Sequence, residues 1–208
     1  MSSDPFWDKI ATKYEAVSAA NIGPNFAARI QRAATTFGAD ARVLDVGCGS
    51  GEIPLAIAKH VDSVHGIDIS SQLIEFARRK AQERGLTNAT FEALDIMTAS
   101  LTDGAYDGIT AFALLHLVDD PAGLLQRLHS LLRQGGQFIS ETPCLADRSW
   151  IFGPIIKLAQ SLGKAPRIVK RLRLADVEAM IRDAGFEILD STQYNPKNDQ
   201  HRITARRS

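Results

Sequence analysis

The chain has 208 residues, of which 45% are hydrophobic and 23% charged, and its 24 basic side chains balance its 24 acidic ones. This composition can bury a substantial core and argues against a disordered chain, and the balanced charge shows no basic bias of the kind that marks nucleic-acid-binding proteins. The N-terminus lacks a signal-peptide pattern and no apolar run approaches the ~18 residues of a spanning helix, so the sequence predicts a cytoplasmic protein.

Strands alternate with helices along the chain, which predicts a doubly wound, mostly parallel α/β sheet with helices on both faces. The predicted strands cover 42–46, 63–67, 89–93, 108–112, 137–141, 186–192 and 202–206. The predicted helices cover 72–84 (capped by Ser70 or Ser71 and ended by Gly85), the stretch from Asp120-Pro121 to just before Gly135-Gly136, and 175–184 (ended by Gly185). The last two strands follow each other with no clear helix between them, so we expect an antiparallel pair at the sheet edge.

The first strand runs into three alternating glycines and then into a helix, in Val43-Leu44-Asp45-Val46-Gly47-Cys48-Gly49-Ser50-Gly51. Glycine permits a sharp turn and the close approach of a ligand, so this pattern at the carboxyl end of a strand indicates a nucleotide-like cofactor. The dinucleotide fingerprint has a third glycine where this chain has Glu52. A carboxylate at a helix start repels a pyrophosphate, so we expect a cofactor without phosphates and disfavour a nicotinamide dehydrogenase.

On these residues the sequence resembles the class I S-adenosylmethionine (SAM) methyltransferases of the small-molecule, quinone-type group, whose first motif is similar to LDVGCGSGE. The resemblance covers most of 6–142 and the 184–186 edge. It implies a Rossmann-like seven-stranded sheet in the order 3-2-1-4-5-7-6, SAM as cofactor and S-adenosyl-L-homocysteine (SAH) as product. The first-motif residues to which we assign cofactor contacts on this basis are Asp45, Gly47, Cys48, Gly49 and Gly51.

Two acidic residues follow the second and third strands. Asp68 ends strand two, where its carboxylate can accept hydrogen bonds from both hydroxyls of a ribose. The resemblance implies that Asp95 accepts from the adenine amino group, with Ile96 and Ile69 flanking the ring. Taken alone, an Asp after a strand is more often a turn residue or a helix cap. The correct order of the glycines, Asp68 and Asp95 favours cofactor binding over that alternative.

Three further candidates face the reacting end of the cofactor. The segment after strand four resembles the part of the family that crosses the methionine end, which places a backbone contact near Ala111. His116 is a candidate general base or substrate orienter, or else a residue bonded to backbone beside a helix. The segment from Phe6 to Glu15 resembles a leading segment in which a tyrosine closes over the cofactor; Tyr14 matches it by position, although its spacing also suits simple packing.

We expect one domain over 1–208, with an N-terminal helical cap over 1–30 and a substrate-side insertion over 143–173. From 148 to 175 the chain has seven basic residues and no acidic one: Arg148, Lys157, Lys164, Arg167, Lys170, Arg171 and Arg173. Mixed with large apolar side chains, they suit a lid whose apolar face packs on the domain, a helix that lies on an anionic membrane, or a nucleic-acid contact.

The sequence therefore predicts a SAM-dependent methyltransferase that transfers a methyl group by in-line displacement to a small, possibly lipophilic acceptor at oxygen, nitrogen or carbon. A methyltransferase of tRNA or another RNA, and a catalytically silent SAM-binding partner subunit, remain open alternatives. We expect no disulfide framework, because two cysteines, Cys48 and Cys144, are too few for one. We expect no metal, because these cysteines have no paired metal-ligand spacing and the sequence shows no acidic or histidine cluster. Both cysteines are interpreted as structural.

Overall fold

The computed structural model describes residues 5–20, 24–144, 146, 152–195 and 200–208. The helices are α1 (Pro5–Ala20), α2 (Pro24–Phe37), α3 (Glu52–Ile57), α4 (Ser71–Glu83), α5 (Pro121–Leu131), α6 (Phe152–Ser161) and α7 (Leu174–Asp183), with a 3-10 helix at Leu115–Leu117. The strands are β1 (Arg42–Val46), β2 (Ser63–Asp68), β3 (Ala89–Ala93), β4 (Tyr106–Phe112), β5 (Leu132–Pro143), β6 (Phe186–Asn195) and β7 (Gln200–Arg207).

The strands of the described residues form one seven-stranded sheet in the order β3-β2-β1-β4-β5-β7-β6. The pairs from β3 through to β5 are parallel, and β7 is antiparallel to both β5 and β6. This confirms the predicted fold class, the strand order and the antiparallel edge. Parallel strands place their carboxyl ends together, so the loops after β1, β2, β3 and β4 converge at one edge of the sheet.

Neighbouring residues of the central strands face opposite sides of the sheet, as the period of a strand requires. Leu44, Ile109 and Phe138 belong to the core under α5 and α7. Val43 and Ile139 point to the other side, where they pack beneath α2 and α3. Since both faces are covered, the central strands β1 and β4 are buried nearly throughout, which is why their sequence shows short apolar runs rather than a polar alternation.

Two boundaries differ from the sequence prediction. Helix α4 begins at Ser71 instead of Gln72, and Ser70, one of the two predicted caps, accepts a hydrogen bond from the Leu73 amide at 3.2 Å through its hydroxyl oxygen. Helix α5 ends at Leu131 and β5 starts at once, before the glycine pair at 135–136 that was expected to separate them. Leu132 is already paired with Tyr106 of β4, so strand pairing has taken over from the helix at that point.

Helix α1 lies against α4 and is tied to it by side chains. Asp8 accepts a hydrogen bond from the Ser70 hydroxyl at the start of α4. Glu15 forms an ion pair with Lys80 at 2.9 Å near the other end of α4. These two contacts hold α1 across the carboxyl edge of the sheet. No helix among the described residues is long and apolar enough to cross a membrane.

Candidate functional site

A cavity of about 630 Å³ lies at the carboxyl ends of β1, β2, β3 and β4. Its volume falls within the ~300–1,000 Å³ of small-molecule and cofactor sites. The cavity is bounded by the glycine loop after β1, the turns after β2 and β3, the segment from Phe112 to Asp120, helix α1, and two residues of the insertion. Loops from four strands and two further segments therefore build one site.

The glycine loop is held against β2 by its own backbone. The amides of Gly47 and Cys48 donate to the Ile67 carbonyl at 2.8 and 3.0 Å. The Asp68 carboxylate accepts from the amides of Gly49 and Ser70, both at 2.9 Å. Burial raises the pKa of Asp68, and those amide hydrogen bonds oppose the shift. The Asp68 carboxylate is thus held by two backbone amides, and the residue also lines the cavity.

Two glycines of this loop also have backbone conformations that require glycine. Gly47 and Gly49 have φ angles of +72° and +55°. A Cβ at Gly47 would lie 2.9 Å from a methyl carbon of Leu114, and one at Gly49 would lie 3.1 Å from the Tyr14 ring. Both positions face the cavity, so a side chain there would also take space that a ligand needs.

Tyr14 lies above the glycine loop, where the sequence prediction placed it. Its ring contacts the Gly49 position, and it stands edge-to-face with Trp7 at a centroid distance of 6.2 Å. Trp7 and Tyr14 both line the cavity. Burial raises the pKa of the Tyr14 hydroxyl, so the phenol stays protonated at neutral pH and can donate a hydrogen bond.

Glu52 does not act as the sequence argument supposed. Its side chain is buried away from the cavity and accepts hydrogen bonds from Lys80 at 2.7 Å and Arg84 at 2.9 Å. Burial by itself raises the pKa of Glu52, but these two cations outweigh it and hold the pKa below its usual value. The expected repulsion of a pyrophosphate by Glu52 is therefore wrong, because its charge is already paired inside the protein.

Four other predicted contact residues lie behind the cavity wall rather than on it. Asp45 accepts a hydrogen bond from the Thr110 hydroxyl, and Ala111 is fully buried in β4. Cys48 is buried among apolar side chains. A Cβ at Gly51 would meet the Cβ of Ala77 at 2.8 Å, so this glycine serves the close packing of the loop on α4. Phe112 and Leu114, which follow Ala111, line the cavity instead.

The turn after β3 presents the remaining predicted group. Asp95, Ile96 and, from the turn after β2, Ile69 all line the cavity. The Asp95 carboxylate also accepts a hydrogen bond from the Met97 amide at 3.0 Å. Asp95 therefore stabilises the turn after β3 and also lines the cavity. Asp68, Ile69, Asp95 and Ile96 thus line the same cavity.

His116 lies on the 3-10 helix and lines the cavity. The residue is only 9% exposed, and its Nδ1 has no hydrogen-bond partner among the described residues. Burial lowers its pKa to about 4, so the ring is neutral at physiological pH. A neutral imidazole with a free nitrogen can accept a hydrogen bond from a hydroxyl group of a ligand.

The insertion reaches the cavity through Arg167 and Ile168. Its backbone is bonded to the site, because the Lys170 amide donates to the His116 carbonyl at 2.7 Å. Residues 145 and 147–151, where Arg148 falls, lie outside the described residues, as do 1–4 and 21–23 of the expected N-terminal cap.

Trp7, Leu114 and Arg167 are among the residues that line the cavity and that sequence reasoning missed. Trp7 stands seven residues before Tyr14, a spacing that puts both on one face of a helix, and this signal was available. Leu114 and Arg167 have no such signal. Their positions depend on how a loop and an insertion fold back over the sheet.

The chain matches methyltransferases in three comparisons. A family model described as "Methyltransferase domain" matches residues 38–193. The chain is 30% identical over 167 residues to the ubiquinone biosynthesis O-methyltransferase of Pseudomonas paraeruginosa (strain DSM 24068 / PA7), an alignment covering 77% of this chain and 72% of that protein. It is 36% identical over 164 residues to the protein of the same name from Coxiella burnetii (strain RSA 331 / Henzerling II), covering 76% of this chain and 69% of that one.

A solved structure shares the fold. Geranyl diphosphate C-methyltransferase from Streptomyces coelicolor A3(2), in complex with Mg²⁺, geranyl diphosphate and SAH, superposes with a TM-score of 0.72 at 15% identity. The superposition covers 87% of this chain and 77% of that chain. At this identity the match concerns the fold alone.

Replacing Asp45 by Asn should stabilise the protein at neutral pH. Burial, together with the charge of Asp68, raises the pKa of Asp45 to about 7, although the Thr110 hydrogen bond opposes the shift. The unfolded chain, in which this pKa is about 3.9, therefore loses the proton first, and raising the pH from about 4 to 7 favours unfolding. Asn keeps an acceptor for Thr110 without the buried charge, so its advantage should grow with pH over this window.

The measurement is the free energy of unfolding in urea at pH 4 and pH 7.5 for both proteins. The difference between Asp45→Asn and wild type should rise by up to about 4 kcal/mol, at 1.36 kcal/mol per pKa unit. Asp62→Asn, at an exposed position, serves as control. A difference that does not change with pH would show that Asp45 keeps an ordinary pKa.

Proposed function

Because the chain belongs to the class I SAM-dependent methyltransferases, we propose that it methylates a hydroxyl oxygen of a small, lipophilic acceptor. The observation that carries the choice of oxygen is His116, a neutral and mostly buried histidine among the many apolar residues that line the cavity. Two relatives are named as O-methyltransferases of ubiquinone biosynthesis, which supports an oxygen acceptor on a lipophilic molecule.

The cofactor is SAM, and the residues of the cavity fit it. We assign the ribose hydroxyls to the Asp68 carboxylate, which retains lone pairs beyond its two amide hydrogen bonds. The adenine amino group is assigned to Asp95, with Ile69 and Ile96 on either side of the ring. The glycine loop offers the narrow backbone cradle that the amino-acid portion needs, since a Cβ at Gly47 or Gly49 would fill it.

Asp45, Cys48, Gly51 and Ala111 then act indirectly. Asp45 and Ala111 lie behind the wall that Phe112 and Leu114 present, and Gly51 and Cys48 allow the loop to pack. We propose that these four residues set the shape of the cofactor site through the backbone rather than through their side chains.

When bound, SAM supplies a methyl group on a positively charged sulfur, which is already an activated leaving group. The protein mainly has to hold the acceptor oxygen in line with the methyl carbon and to exclude water. Trp7 and Tyr14 cover the glycine loop, and Phe112, Leu114 and Ile168 add apolar surface. We propose that the neutral imidazole of His116 orients the acceptor hydroxyl and takes its proton as the oxygen attacks.

Asp68→Ala should weaken SAM binding by roughly 1–3 kcal/mol, because the charged acceptor for the ribose hydroxyls is lost. The measurement is calorimetric titration with SAM, with exposed Asp62→Ala as control. Unchanged affinity would remove Asp68 from the cofactor site.

The same variant controls the assay of the acceptor class. Methyl-labelled SAM is incubated with a cell extract that is then separated into organic-soluble, nucleic-acid, protein and polar small-molecule fractions. We expect Asp68-dependent label in the organic-soluble fraction. Label only in nucleic acid would instead favour the RNA alternative, and label in no fraction would favour the silent-subunit alternative.

His116→Ala should lower kcat on an organic-soluble acceptor by about 10²-fold or more, as expected for loss of a general base. SAM affinity should change little, because the variant leaves the residues assigned to the cofactor intact. In the wild type, protonation of His116 should lower kcat/KM only as the pH falls through about 4, because the ring is neutral above that pH. Exposed His60→Ala is the control; a wild-type kcat in His116→Ala would exclude His116 from proton transfer.

We also propose that residues 1–208 form one domain, with 1–30 as a helical cap and 143–173 as the substrate-side lid. The ties from α1 to α4 and from Lys170 to His116 support both roles. A cytoplasmic location is our further proposal, favoured by a sequence with two cysteines, too few for the disulfide framework of small secreted proteins. Absence of the native protein from a cytosolic fraction would contradict it.

A peripheral membrane contact through 148–173 is a separate proposal. Helix α6 and the turn after it expose two leucines, Leu158 at 62% and Leu162 at 59%, beside the exposed lysines Lys157 and Lys164. Exposed apolar and basic side chains together are the composition with which an interfacial helix meets anionic lipid. A lipophilic acceptor dissolved in that membrane would then be delivered beside the lid.

The double variant Lys157→Glu/Lys164→Glu should therefore sediment less with vesicles of phosphatidylglycerol and phosphatidylcholine. Each basic residue near such a surface contributes about 1 kcal/mol, so the bound fraction at limiting lipid should fall by at least ~10-fold. Arg32→Glu/Lys59→Glu, with two exposed positions outside the insertion, is the matched control. Wild-type protein that does not sediment with the vesicles would end the proposal.

A further inference from the structure

We infer that Arg167 selects acceptors that carry a carboxylate in addition to the hydroxyl that is methylated. This inference rests on the proposed function, because it concerns the acceptor end of the same cavity. Arg167 is the only lysine or arginine among the described residues that line the cavity. Its guanidinium has no ion pair or hydrogen bond with any residue that the structure describes, unlike Arg29, Arg84 and Arg127.

The backbone around Arg167 is fixed on both sides. The Gln160 side-chain amide donates to the carbonyls of Pro166 and Arg167, both at 2.9 Å. Three residues further on, the Lys170 amide donates to the His116 carbonyl. Three residues of chain span at most about 10 Å, so Arg167 is held within that distance of the segment that contacts the proposed base.

Among the described residues, four aspartates and one arginine line the cavity. Asp68 and Asp95 are the two that we assign to ribose and adenine. Asp119 and Asp120 lie at the start of α5, where Asp120 is engaged in capping the helix through the Gly123 amide. Arg167 stands on the insertion beside Ile168 and carries the one fixed positive charge, since a guanidinium keeps its proton at any physiological pH.

An arginine next to apolar walls favours a particular ligand. Arg167 is exposed, so its planar guanidinium is accessible to a ligand and can donate two parallel hydrogen bonds to a carboxylate. A neutral phenol of the same shape would form no such charge-assisted pair and would leave the guanidinium to water. We therefore assign the acceptor class as lipophilic or aromatic hydroxy acids, with the hydroxyl at His116 and the carboxylate at Arg167.

The test uses two probes that share a dihydroxyphenyl group: caffeate, which carries a carboxylate, and its methyl ester, in which one added methyl group removes the charge. Each is titrated calorimetrically at pH 7.5 into the protein loaded with SAH. Wild type should bind the acid at least ~10-fold more tightly than the ester. Arg167→Gln should abolish this preference and leave the ester affinity unchanged, and Arg167→Lys should keep part of it. Lys59→Gln, at an exposed basic position that does not line the cavity, should behave as wild type.

Equal affinity of wild type for the two probes, including no measurable binding of either, would overturn the inference. So would an acid preference that persists in Arg167→Gln. An unchanged SAH affinity shows that Arg167→Gln is folded. If Arg167→Gln does not fold, the preference of wild type for the acid over the ester is compared at 50 and 500 mM NaCl. A preference that does not fall as the salt concentration rises overturns the inference.

Methyl transfer to the probes is measured separately, as O-methylated product from SAM. A probe that binds with the expected charge preference but gives no product contradicts the proposed oxygen chemistry and leaves the role of Arg167 intact. Product from both probes at equal kcat/KM, with equal affinity, supports the proposed function and removes the role of Arg167.

Discussion

The hydrogen bonding of the glycine loop to the end of β2 is the constraint on which the site depends. The Gly47 and Cys48 amides share the Ile67 carbonyl, and the Gly49 amide is bound by the Asp68 carboxylate. These bonds require positive φ angles at Gly47 and Gly49, and so they require glycine. The turn, the position of Asp68 and the floor of the cavity are thereby set together.

A buried ion network carries that arrangement outward to α1. Lys80 of α4 pairs with Glu52, which follows the glycine loop, and with Glu15 of α1, and Arg84 adds a second cation at Glu52. Removing one partner of such a buried network costs about 3–5 kcal/mol, because the other charge is left without compensation. The network therefore fixes the position of α1, which carries Tyr14, relative to the glycine loop, which Tyr14 covers.

The cavity is lined by side chains of different charge. Asp68 and Asp95, which we assign to the nucleoside, line it together with the neutral His116 and with Arg167 of the insertion. Burial is the common cause, since it raises the pKa of Asp45 and Asp68 and lowers that of His116. A methyl transfer that proceeds from a positively charged sulfur needs no strong base, so a weakly basic, neutral His116 suits it.

The sequence by itself determined the sheet, the antiparallel edge and the residues that follow β1, β2 and β3, because strand alternation, capping residues and alternating glycines are local signals. The positions of Asp68, Ile69, Asp95 and Ile96 at one cavity follow from parallel strands ending at one edge. Only the tertiary structure showed that Glu52 is paired with Lys80 and Arg84, that Leu114 forms part of the wall, and that Arg167 reaches the cavity. These contacts join residues that are far apart in the chain through packing and charge pairing. A local sequence pattern cannot predict them, because it contains only residues that are close together in the chain.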